Sequence, residues 1–123
     1  MALTNSRSGA VLAATVELAV TSAERRRGLL GRDAMAPHSA LVITRCAAVH
    51  TFWMRFAIDV AFVDSSGTVK KVVEGLAPWR ITGALFASTA IEFPAGTLKH
   101  DALRVGDRIY LTAEPGRRPL WAA

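Results

Sequence analysis

One cysteine in 123 residues sets the first limit. Cys46 has no second thiol to meet, which excludes an intramolecular disulfide and a cysteine-only zinc site. Charge is scarce as well, at 20% of the chain against 51% hydrophobic residues, and that balance excludes a disordered polypeptide. Long apolar runs are missing. The opening stretch around Asn5, Ser6, Arg7 and Ser8 is polar, and the first apolar run is soon interrupted by Thr15 and Glu17. Neither a signal peptide nor a membrane span is written there, so a cytoplasmic location with no membrane contact is expected. The net charge is only +5, of which Arg7, Glu114, Arg117 and Arg118 contribute +2 from the two ends. The +3 left on residues 9–112, with no recognisable nucleic-acid motif, argues against nucleic acid as a partner.

The chain holds one domain's worth of residues and no internal repeat. We expect that domain over residues 9–112, with tails at 1–8 and at 113–123, where Pro115, Gly116 and Pro119 gather. Within it, Leu12, Val16, Leu18 and Val20 recur at multiples of two residues and predict one strand over residues 10–20. Thr21 and Glu24 then have the spacing of a capping box, predicting one short helix over about 22–30 with Gly31 as its terminator. Residues 31–39 read as a loop. Strands are predicted over 40–45, 58–64, 68–73, 89–93 and 108–112, and the Ser65-Ser66-Gly67 turn makes the second and third of these a hairpin. Pro78-Trp79-Arg80 begins an irregular crossing. Six or seven short strands and one helix predict a mainly β fold, a small sandwich or partly closed barrel.

Chemistry concentrates between Cys46 and Val60. Cys46, His50 and Met54 recur every four residues and include soft ligands of the kind copper prefers. On a straight strand such residues stand roughly 13 Å apart, too far to share one centre. No metal and no cofactor are therefore expected, and Cys46 and Met54 read as packing residues. Asp59 is different, because the residues around it are apolar on both strand parities. A carboxylate there needs a cation or several amide donors, and we read it as a buried clamp, with Arg27, Arg32 and Arg55 as the candidate cations. Trp53 and Trp79 read as core.

Four segments together resemble one family. They are Glu24-Arg25-Arg26-Arg27-Gly28-Leu29-Leu30-Gly31-Arg32, the run from His50-Thr51-Phe52-Trp53-Met54-Arg55 through Ile58-Asp59-Val60 to Asp64, then Gly67-Thr68-Val69, and Ile91-Glu92-Phe93-Pro94-Ala95-Gly96. Their order and spacing are similar to those of DUF192, a bacterial and archaeal domain family. The resemblance implies a small, mostly β fold with one short helix, and it implies no activity, substrate or catalytic residue. Phe52-Trp53 is more aromatic than the usual form.

Two functions from different classes follow from the residues. The first is a non-enzymatic binding or accessory domain whose shallow polar cleft, built from Arg27, Arg32, His50, Arg55 and Asp59, takes a small anion or an acidic segment of a protein partner. The second is a small hydrolase or transferase using His50 with Cys46 or Asp59.

Overall fold

Residue 59 belongs to a strand in which all six side chains, Ile58–Val63, are buried. A strand can hide both faces only when something covers each of them, and the fold supplies a cover on either side. In the computed structural model, which describes residues 1–112, the elements run β1 (Ala2–Asn5), β2 (Val11–Ala13), β3 (Thr15–Ala19), α1 (Ser22–Arg27), β4 (Ser39–Thr44), β5 (Ala48–His50), β6 (Ile58–Val63), β7 (Val69–Leu76), β8 (Ile81–Gly83), β9 (Thr89–Pro94) and β10 (Ile109–Thr112). They form an open five-stranded sheet in the order β3-β4-β9-β6-β7, a three-stranded sheet β10-β1-β2 and a two-stranded ribbon β5-β8. The expected mainly β class with one short helix is observed. The sheets remain open, so the sandwich form of the expectation holds and the barrel form does not.

The pleat assigns each residue of the central strands to a face. On one face Val42, Ala61, Val63, Ile91 and Phe93 pack against Leu3, Leu12, Ile109 and Leu111 of the three-stranded sheet. On the other, Leu41, Ile43, Ile58, Val60, Phe62 and Ala90 pack against Leu29, just past α1, and against Val49 and Met54. β3 and β4 are parallel, and α1 with the loop after it makes the crossover that a parallel pair requires. The remaining pairs of the sheet are antiparallel.

Several expectations need correction. Residues 1–8 are no tail, since β1 is the middle strand of its sheet and Leu3 and Asn5 are 0% exposed. Asn5 Nδ2 donates to Asp107 Oδ2 at 3.0 Å and Arg7 Nε to Asp107 Oδ1 at 2.8 Å, which ties this segment to the far end of the chain. The strand foreseen over 10–20 is two strands broken at Ala14, whose amide donates to the His38 carbonyl at 2.8 Å. At that break the chain passes from one sheet to the other, and Val20, beyond the end of β3, is exposed while Ala19 is buried. The capping box forms as read, with Glu24 N donating to Thr21 Oγ1 at 3.1 Å and Thr21 N to Glu24 Oε1 at 2.9 Å. The helix stops at Gly28 and not at Gly31, because the Gly28 amide closes the last turn on the Glu24 carbonyl at 3.0 Å and the chain turns off at φ 48°. Trp53 and Trp79 are 71% and 52% exposed and pack edge-on against each other, outside both cores. The expected tail at 113–123 lies outside the described residues.

Candidate functional site

A cavity of about 400 Å³ opens between α1 and the sheet face that carries Leu41 and Val60. Its position follows from the crossover. α1 has only six residues and none is buried, so it caps the sheet loosely and leaves space beneath it. Leu29, Ile43, Val49 and Met54 give the cavity apolar walls, and Arg25, Arg26, Arg27 and Arg45 bring four guanidinium-bearing residues to its lining. Three of these arginines share the last turn of α1, where cations complement the carbonyl end of the helix. Among the described residues, Arg26, Arg27 and Arg45 form no ion pair.

One acid meets this basic lining. Glu92 lies on β9, paired with Leu41 of β4 and Val60 of β6, on the face that looks toward α1. It is 3% exposed, and burial pushes its carboxyl pKa up to about 7, while the charge of Arg32 pulls the other way. Arg32 itself is committed elsewhere. Its NH1 and NH2 groups reach Glu17 Oε1 at 3.1 Å and Oε2 at 2.7 Å, a fork that holds the Glu17 pKa below the usual carboxylate range.

Of the five residues proposed from sequence, the cavity brings two together. Arg27 and His50 line it, His50 with its ring stacked on Phe52 at 5.0 Å. Arg32 stands beside Glu17 and is not part of the lining. Arg55 is an exposed side chain paired with Asp33 at 2.6 Å and is not part of the lining. Asp59 is sealed on the opposite face of the sheet. It is 0% exposed, with Oδ1 accepting from Gly75 N at 2.8 Å and Oδ2 from Gly96 N at 3.0 Å and Leu98 N at 2.8 Å. It is therefore a clamp, and its donors are backbone amides, not the arginines named for it. Arg25 and Arg26, which with Arg27 and Arg32 make the helix end basic in the sequence, join the lining, and the residues the sequence reading missed are Arg45 and Glu92. The signal for Glu92 was present, an acid inside the apolar strand Ala90-Ile91-Glu92-Phe93, and it is the signal that drew attention to Asp59.

Cys46 and His50 both border the cavity, but the described residues show no hydrogen bond joining them. The Cys46 thiol donates to the Ala48 carbonyl at 3.0 Å, and burial raises its pKa, the reverse of what a thiolate nucleophile requires. Among the described residues no three His, Cys, Asp or Glu side chains come together as a metal-binding group, and no helix is long and apolar enough to cross a membrane.

Fold and site together define a small open β-sandwich with a basic cleft under a one-helix cap. The chain belongs to the DUF192 family, whose model, described as an uncharacterized ACR, matches residues 3–111. It is 38% identical over 101 residues to a UPF0127 protein of Pyrococcus abyssi (strain GE5 / Orsay), covering 76% of this chain and 83% of the relative. A crystal structure from Sinorhizobium meliloti 1021, whose description gives it a candidate role as a transcription regulator, is 30% identical with a TM-score of 0.75, over 88% of each chain. A second, a protein of unknown function from Novosphingobium aromaticivorans DSM 12444, has a TM-score of 0.78 at 21% identity, covers 90% of this chain and 84% of its own, and supports the fold alone.

Proposed function

We propose that this protein is a non-enzymatic binding or accessory domain of the cytoplasm and that the cleft under α1 binds a small anion. The observation that carries the reading is the placement of Arg26, Arg27 and Arg45 around a cavity of about 400 Å³ without a carboxylate partner among the described residues. That volume lies in the range of metabolite sites, which run from about 300 to 1,000 Å³. An acidic segment of a protein partner would meet the same cations at the mouth, but a half-open hollow of about 400 Å³ favours the small ligand.

The description of the Sinorhizobium structure brings DNA into consideration. A six-residue helix is a poor match to the reading helix of a major-groove binder, and these arginines line a cavity of about 400 Å³, sized for a small molecule and not for a duplex. Calorimetric titration of the full chain with inorganic phosphate and a series of carboxylates tests the proposal. Saturable binding is expected, weakened about tenfold or more in an Arg27→Ala/Arg45→Ala variant. The absence of heat with every anion, or equal affinity in the variant, would overturn it.

A further inference from the structure

Two of the three buried acids in the described fold have donors built around them. Asp59 has three backbone amides, and Asp107 has Asn5, Arg7 and the Arg104 amide. Glu92 has none: no hydrogen bond or ion pair reaches its carboxyl group among the described residues, although it is 3% exposed. No fully buried side-chain oxygen or nitrogen among the described residues lacks a partner, so the unbonded Glu92 oxygens are not sealed in the core but open to the cavity. Glu92 borders the cavity, so what it lacks can be supplied from there. Other charged or titratable groups act on it without bonding it. Arg32 does so from the loop after α1, while Cys46 and Arg25 stand across the lining.

We propose that the cavity takes a small molecule with two unlike polar ends, an anionic group held by the arginines and a hydroxyl or ammonium group that donates to the Glu92 carboxylate. This deepens the anion reading and rests on it. The apolar walls formed by Leu29, Ile43, Val49 and Met54 suit a short hydrocarbon middle between the two ends. A plain anion would satisfy the arginines and leave Glu92 as it is. A ligand of hydroxy-acid or amino-acid type satisfies both.

Calorimetry on the full chain at about pH 8, where Glu92 is largely ionised, tests this with hexanoate and its ω-hydroxy and ω-amino derivatives. The derivatives are expected to bind about tenfold or more tightly than hexanoate, the gain of a hydrogen bond to a charged group. In Glu92→Gln the advantage of the amino derivative should vanish while hexanoate binding persists. A second measurement needs no variant. Lowering the pH to about 5 protonates Glu92 and should collapse the ratio between amino derivative and hexanoate in the unaltered protein. Equal binding of all three ligands at both pH values overturns the role of Glu92 and leaves the anion site standing. No binding of any of them, or of inorganic phosphate, overturns the anion site and this inference with it.

Discussion

Replacing Asp59 by alanine removes an acceptor that three backbone N–H groups share in the interior. Gly75 N on β7, and Gly96 N and Leu98 N in the turn after β9, each donate to it at 2.8 to 3.0 Å. The side chain thus ties the β6-β7 edge of the sheet to the 95–98 turn, and it does so where β7 slips register against β6. Leaving a buried donor unsatisfied costs about 1 to 3 kcal/mol each. Removing the carboxylate also recovers the cost of burying its charge, so three such losses do not add, and a net destabilisation of about 3 to 5 kcal/mol is expected. With a urea m-value of about 2 kcal/mol/M, that moves the midpoint of unfolding down by roughly 2 M. Asp59→Asn should cost about half as much. Its carbonyl can still accept from Gly96 and Leu98, but its NH2 then confronts the Gly75 amide, donor against donor. Equilibrium urea unfolding followed by far-UV circular dichroism reads both variants. An Asp59→Ala protein with an unchanged midpoint would refute the clamp.

Two further outcomes follow from the same accounting. Glu92 has a folded pKa near 7, above that of an unfolded glutamate at 4.5, so between those values the folded chain holds the proton that the unfolded chain has released. Stability from this group is therefore present below about pH 4.5, falls as the pH rises to about 7 and is then level, a loss on the order of 3 kcal/mol. Glu92→Gln should melt close to the unaltered protein at about pH 5 and clearly above it at about pH 8, and equal melting at both would contradict the buried charge. Deleting residues 1–8 removes β1, the strand that joins β2 to β10, together with the contacts of Asn5 and Arg7 to Asp107. The deletion should yield insoluble or unfolded protein, and a soluble product with a cooperative melt at the original temperature would restore the view of this segment as a tail.

Much of the fold was legible because its signals are local. Thr21 and Glu24 specify the start of α1 within four residues, and Asp64, Ser66 and Gly67 specify the β6-β7 turn, where Asp64 Oδ1 accepts from Ser66 N at 2.9 Å and Thr68 N at 3.0 Å. What failed depended on distant partners. Residues 2–5 form a strand because β10, more than a hundred residues later, pairs with it, and nothing in their own polarity announces that pairing. Ala14 breaks a run whose period-two pattern is otherwise continuous, and it does so to meet the His38 carbonyl.

The two acids of the central strands show the same division in the site. Each is a carboxylate in an apolar strand, and from sequence alone the burial argument applies equally to both. What separates them is register. β6 and β9 pair so that Asp59 stands opposite Phe93 and Glu92 opposite Val60, which puts the two carboxylates on opposite faces of one sheet. On Asp59's face lies the packed interior, where amides of the turn and the bulge donate to it, and the acid becomes part of the structure. On Glu92's face lies the loosely capped crossover, where arginines gather and none of the described residues donates to the acid. A one-residue difference in parity thus decides which acid holds the fold together and which is left facing the cavity. That parity depends on which strands pair and in what register, and the pairing of residue 60 with residue 92 is a contact that neither segment encodes by itself.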